Sequence, residues 1–390
     1  MNSKPLVILF ITIFIDLLGF GIIIPILPTY TKELGATDFI VSVVGFIFPL
    51  MQFLFAPLMG SISDRFGRKP IITGSILVNI IGYSLLANAF TIPLLFMARL
   101  LNGIGSANLG AAQAYISDIT PPDKRAKSYG IIGAAFGLGF IFGPPIGGII
   151  KESFGIDAVG YTLVVLCLVN LLVVFFFLPE SLKNKNHNLR IKLNPLSGIG
   201  KAFKIPHTRS LISINFIFIT AFALMQLAAA LLWAEKYNLT EREIGYVFMF
   251  IGFLSALFQG SIVGIASKKL GEEKMLIIGS VAHAIGLSIL ATPNQEWFYP
   301  IELTSMALLA FGNSMLMPAV TALVSKYSGE KEQGVMLGIN QSVGSLGRAI
   351  GFLFSATLYG VIYHLPFNVG AVLMVVVFLM SVGFYKKHKM

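Results

Sequence analysis

The sequence predicts an all-α membrane protein, with twelve transmembrane helices in two pseudo-symmetric six-helix bundles. Three observations carry that prediction. First, 56% of the 390 residues are hydrophobic and only 12% are charged. Soluble globular domains carry roughly 25% charged residues, so most of this surface does not face water. Second, apolar runs recur from end to end at about 20 residues each, the length a helix needs to cross the bilayer core. Third, Lys and Arg segregate to alternate loops. The runs are continuous rather than alternating, which favours helices over a closed barrel. Twelve such helices use roughly 240 residues, leaving short loops and no room for a large soluble domain.

The spans fall near 6–30, 41–62, 70–89, 93–117, 127–150 and 159–178, then 209–234, 243–266, 274–291, 298–324, 334–360 and 366–385. The N-terminus has Lys4 and then an apolar run past Ile26, which superficially resembles a signal peptide. No small-residue cleavage site follows, so it reads as a retained first span. With the N-terminus inside, inner loops and termini hold 22 of the 28 Lys and Arg. These include Lys4, Arg65, Arg68, Lys69, Lys124, Arg125, Lys127, the stretch Lys183 to Arg209, Lys268, Lys269, Lys274 and Lys386 to Lys389. The outer loops hold Lys32, Lys151, Lys236 and Arg242, while Arg99 and Arg348 lie inside spans. Basic residues accumulate on the cytoplasmic side. A multi-pass protein of the cell membrane with both termini cytoplasmic is therefore expected. The net charge of +10 reflects that topology and not a nucleic-acid partner. Cys167 is the one cysteine, so no intrachain disulfide is possible.

The polar stretch Glu180 to His207 divides the chain into a bundle at 1–180, a cytoplasmic linker at 181–207 and a bundle at 208–390. Internal repetition agrees. Gly60 and Gly67, in the loop between spans 2 and 3, match Gly264 and Gly271 between spans 8 and 9 at an offset of 204. In span 5, Gly130, Gly139 and Gly143 match Gly338, Gly347 and Gly351 of span 11 at an offset of 208. Many transporters are built from such repeats, with the substrate site near the midplane between them.

Taken in chain order, the motifs begin at Asp16, roughly 15 Å into span 1. A charge at that depth is expensive and points to function. Gly60, Asp64, Arg65, Gly67, Arg68 and Lys69 form the loop after span 2. There Gly60 and Gly67 allow a tight turn, and Asp64 is placed to face a helix N-terminus, most plausibly that of span 11. Arg65 and Arg68 are placed to pair with Asp118 at the inner end of span 4, which together makes a cytoplasmic latch. Arg99 lies in span 4 ahead of Gly103, at a depth compatible with an ion pair to Asp16. Such a guanidinium favours the charged carboxylate, although a purely structural salt bridge is the competing reading. Span 5 carries Gly139, Gly143, Pro144, Pro145 and Gly147, where small residues permit close packing and prolines bend the helix. His283 lies mid-span 9 as a second titratable group, or as a packing residue. Glu235 and Glu302 lie nearer the outer ends of spans 7 and 10, where interfacial snorkelling accounts for them. Gln52, Gln113, Asn215, Gln226, Gln259, Asn313, Asn340, Gln341 and Arg348 are polar positions within spans. With Phe46, Phe136, Phe222, Phe248 and Trp233 they are candidates for a mostly apolar cavity with a few polar handles. No phosphate-binding loop, H-E-x-x-H motif or Cys/His metal cluster is present, so neither a cofactor nor a metal is expected.

The loop Gly60 to Lys69 resembles the signature between spans 2 and 3 of the major facilitator superfamily. Asp16 to Pro28, Arg99 to Gly103 and Gly133 to Gly148 resemble its drug:proton antiporter branch, and most of all the bacterial tetracycline/proton antiporters. The resemblance implies a major facilitator fold and a monomer in the lipid bilayer. It also implies proton-driven export of an amphipathic small molecule by alternating access, with Asp16, Arg99 and His283 bearing on proton coupling. Those antiporters carry acids where this chain has Gly82 and His283, and some carry a histidine where Ser255 stands. A transporter of a non-drug metabolite, sugar or siderophore, proton-coupled or facilitative, stays open as the alternative, and a channel more remotely.

Overall fold

The computed structural model describes residues 4–121, 125–182, 196–203, 205–290, 292 and 298–389. Every regular element among them is helical. The first half contains α1 (Lys4–Glu33), α2 (Asp38–Phe66), α3 (Arg68–Ala87), α4 (Ile92–Gly105), α5 (Leu109–Ile119) and α6 (Arg125–Phe177). The second contains α7 (Leu196–Phe203), α8 (Pro206–Tyr237), α9 (Glu241–Phe258), α10 (Gly264–Leu270), α11 (Glu272–Leu290), α12 (Phe298–Tyr327), α13 (Gly329–Val361) and α14 (Leu365–Lys389). A 3₁₀ turn at Ser106–Asn108 joins α4 to α5, and a π turn at Gln259–Val263 joins α9 to α10. Lys124 and the linker residues from Lys183 to Lys192 lie outside the described residues, as do the side chains of Arg125 and Lys127.

Among the described residues ten helices are long and apolar enough to cross a membrane, where the sequence predicts twelve spans. The difference arises in two places. α6 runs through both predicted spans 127–150 and 159–178 and leaves helical backbone at Gly155 (φ 90°). α13 is 33 residues long, but Asn340, Gln341, Ser342, Ser345 and Arg348 make it too polar to stand with the other ten.

Helix ends repeat along with the sequence. The Thr37 hydroxyl caps α2 by accepting the Ile40 N–H at 3.4 Å. Thr240 caps α9 in a reciprocal capping box with Glu243. Positive φ at Gly35 (80°) and Asn238 (53°) turns the chain into these caps. Gly67 (117°) and Gly271 (81°) then separate α2 from α3 and α10 from α11. Side chains with a Cβ are strained there, so the paired glycines have a backbone reason.

One buried apolar cluster comes wholly from residues 8–178, including Leu9, Ile72, Tyr83 and Leu163. A second comes mostly from residues 202–384, joined by Phe20, Ile24, Val41 and Phe48 of α1 and α2. The two halves meet where α2 packs on α13 and α6 packs on α9. Packing along this seam is uneven. Toward the end away from the termini, a Cβ on Gly245 would lie 2.6 Å from the Pro144 carbonyl, and one on Gly252 2.8 Å from that of Phe140. The Thr357 N–H donates to Ser42 Oγ at 2.9 Å in the same region. Nearer the termini, a Cβ on Gly137 of α6 or on Gly338 of α13 would meet nothing within 4 Å beyond its own helix. The halves are closed at one end and parted at the other.

Candidate functional site

Asp16 sits 12 residues beyond the start of α1, about 18 Å along it. Its Oδ1 accepts from Asn79 Nδ2 and its Oδ2 from Asn108 Nδ2, both at 3.1 Å. Asn108 also donates to Ser75 Oγ at 2.7 Å, and Asn102 Nδ2 donates to the Asn79 carbonyl at 3.2 Å. The 3₁₀ turn carries Asn108, so a local change of helix type sits beside the acid.

Asp16 opens on a cavity of about 30 Å³ between the halves. Its polar lining is Asp16, Gln52, Ser106, Asn108 and Arg348, and its walls include Phe20, Phe48 and Phe136. Gln52 ties the halves together: its Nε2 donates to the Ser106 carbonyl at 3.2 Å and its Oε1 accepts from Ser345 Oγ at 3.1 Å. The Arg348 guanidinium lies 5.3 Å from the Phe20 ring centroid, Phe20 stacks on Phe48 at 5.4 Å, and Arg99 lies 4.4 Å from the Phe48 ring. Among the described residues neither guanidinium has a carboxylate within 4 Å.

The expected Asp16–Arg99 pair is therefore not formed. Asn108, which holds Asp16, lies nine residues beyond Arg99 in the same span, about 13 Å at the helical rise. That exceeds the reach of the side chain. Arg99 is fully buried, with its charge against Phe48 and with Nε and Nη1 lacking an acceptor among the described residues. His283 does not line this cavity. It is fully buried, edge-on to Phe218 at 5.5 Å and to Phe222 at 5.8 Å, with its ring against the Leu309 backbone.

The other cavity candidates divide. Asn215 donates to the Asn340 carbonyl at 3.0 Å, and Gln226 is buried in the second half. Gln259 is exposed in the π turn. Gln113, Asn313 and Gln341 are half-buried and are not among the residues lining this cavity. Snorkelling does not describe Glu302: it is 1% exposed and accepts the Trp233 indole N–H at 3.2 Å. Glu235 accepts the Tyr359 hydroxyl at 3.0 Å.

At the end bearing the termini, Arg68 pairs with Asp64 at 2.5 Å and with Asp118 at 3.3 Å, and donates to Ser63 Oγ at 2.6 Å. Arg65 does not join it; its guanidinium lies 5.3 Å from the Phe66 ring. The Glu180 carboxylate accepts the backbone N–H groups of Arg68 at 2.9 Å and Lys69 at 3.3 Å, an anion at the N-terminus of α3. Lys69 donates to the Phe175 carbonyl at 2.7 Å. These contacts lie within the first half. The expected partner of Asp64 is the N-terminus of α13, whose first side chains lie outside the described residues. Gly139, Gly143 and Gly147 set the approach of α6 to α1, and Gly103 that of α4 to α2. α6 stays helical through Pro144 and Pro145, and its break falls at Gly155 instead.

Sequence reasoning passed over Asn79, Asn108 and Glu180. The signal for the first two was present, since an asparagine deep in an apolar span must find a partner. It also passed over the far-end cluster, where Lys151 of α6 bonds both Glu33 of α1 and Glu241 of α9.

Comparison with known proteins agrees with this architecture. The family model for the Major Facilitator Superfamily matches residues 9–258 and again 211–389. The chain is 32% identical to the class C tetracycline resistance protein of Escherichia coli, over 92% of this chain and 90% of that protein. It is 28% identical to multidrug resistance protein 2 of Bacillus subtilis (strain 168), over 95% and 92%. The crystal structure of the human organic anion transporter MFSD10 (TETRAN) matches with a TM-score of 0.76 over 97% of this chain and 99% of that one, at 21% identity, a likeness of fold. With two helical halves meeting at a central cavity and near-full-length matches in sequence and fold, the chain belongs to the Major Facilitator Superfamily of membrane transporters.

Proposed function

We propose that this chain exports an amphipathic small molecule across the cell membrane in exchange for protons, with both termini in the cytoplasm. The observation that carries the reading is Asp16, a carboxylate deep in the membrane that lines a cavity between the halves and is held by two amides rather than by a cation. A carboxylate so placed can take up a proton on one side and release it on the other as the bundles 1–180 and 208–390 rock about the cavity. Of the three residues expected to bear on coupling, the proton is assigned to Asp16 alone. Arg99 and His283 sit away from it in aromatic surroundings. Relatives named for tetracycline and multidrug resistance support a drug-like cargo.

The test is transport in liposomes under an imposed pH gradient. Asp16→Asn is expected to abolish gradient-driven accumulation while retaining downhill exchange. Full, pH-responsive accumulation by that variant would remove Asp16 from the mechanism. Transport by the unmodified protein that ignores collapse of the gradient would mark a facilitator.

A further inference from the structure

We propose that the cargo is zwitterionic: an anionic group docks on Arg348 of the second half, and a cationic end docks on Asp16 of the first. This rests on the transporter reading above and names its substrate class. A guanidinium at mid-membrane needs an anion or a wet cavity. Arg348 lines the central cavity, yet no carboxylate of the described residues lies within 4 Å of it. Its placed contact is the Phe20 ring. Asp16 is already bonded to Asn79 and Asn108 and does not serve as its counter-ion. Arg99, behind Phe48, is a second buried cation without a carboxylate. Two cations against one acid make the cavity attractive to an anion, and such fields are weakly screened in the interior. The planar five-donor fork of arginine suits a carboxylate in particular.

The 30 Å³ recess admits charged head groups and not a whole substrate. The apolar body lies against Ile13, Leu109 and Phe136, toward the end where the halves are parted. The charge arrangement also fixes the coupling. A cationic end competes with the proton for Asp16, so exchange follows. A purely anionic cargo would instead bind best when Asp16 is protonated, which gives co-transport. A purely cationic cargo would meet Arg348 unpaired.

The matched probes are rhodamine B, which carries a carboxylate and a cationic xanthene, and its ethyl ester, which carries the cation alone. Binding to the purified protein in detergent is read by fluorescence anisotropy. Rhodamine B is expected to bind about tenfold or more tightly than the ester, the scale of one charge-assisted hydrogen bond. Arg348→Gln should abolish the preference and bring rhodamine B and the ester to a common level, while Arg348→Lys should keep most of the preference. Equal binding of both dyes by the unmodified protein, binding of neither, or a preference that survives Arg348→Gln would overturn the proposal. If the preference holds but rhodamine B is moved in liposomes without proton drive, proton exchange fails and the Arg348 assignment stands.

Discussion

Asp16 keeps its place in apolar surroundings because each oxygen meets an amide N–H from a different helix. A buried group left unsatisfied costs about 1–3 kcal/mol, so Asn108→Ala should destabilise the protein by that order and lower proton-driven transport. The informative measurement is a double-mutant cycle. If Asn108 acts through the acid, Asn108→Ala takes nothing further from the downhill exchange that Asp16→Asn retains; an additional, independent loss of that exchange would assign it another role. The acid itself was legible in the sequence, since a carboxylate stands out in an apolar run. Its partners were not. Which asparagines of spans 3 and 4 face α1 depends on how each helix is rotated, and residue counting does not give rotation. Arg99 fails for the same reason: a shared depth was inferred, but span 4 brings Asn108 to Asp16 and leaves Arg99 beside Phe48.

Helix contacts follow the small residues closely enough to separate two glycines of one helix. A Cβ on Gly143 would lie 2.8 Å from the Gly21 backbone, whereas one on Gly137 meets nothing within 4 Å. Gly143→Val must push α6 off α1, and overpacking of this kind costs typically ~1–3 kcal/mol. Gly137→Ala should be neutral or stabilising by up to about 1 kcal/mol from helix propensity. Thermal unfolding of the purified variants in detergent checks both. Equal shifts for the two would mean that this helix contact is looser than described. At this scale the sequence was most readable, because hydrophobic length and the repeated glycines are local signals. It was least readable where a helix changes type without an obvious breaker. The 3₁₀ turn at Ser106–Asn108 has no proline, and the break in α6 falls at Gly155 despite the Pro144-Pro145 pair.

Closure of the whole molecule at the end away from the termini concentrates on Lys151, whose ammonium sits between Glu33 of the first half and Glu241 of the second. Only its bond to Glu241 crosses the seam, and there the side chains are 10% and 19% exposed. Glu33 is 51% exposed and stays within the first half, so it adds little to closure. The neighbouring Arg242–Glu152 pair also crosses the seam, at 3.6 Å, but is 40% and 32% exposed, and pairs of that kind contribute about 0–1 kcal/mol. A hydrogen bond between charged groups contributes roughly 1.5–3 kcal/mol, and every 1.4 kcal/mol is about a factor of ten in a population ratio. Lys151→Met should therefore raise the population open at this end about tenfold or more, and Arg242→Gln by a few-fold at most. A cysteine in place of Leu109, which lines the central cavity, reports the change once the buried Cys167 is replaced by alanine. Its reaction with a membrane-impermeant thiol reagent applied from the far side should accelerate in Lys151→Met and hardly in Arg242→Gln. Equal rates in the two variants would mean that closure is held by the close packing of α6 on α9, with the charges following it.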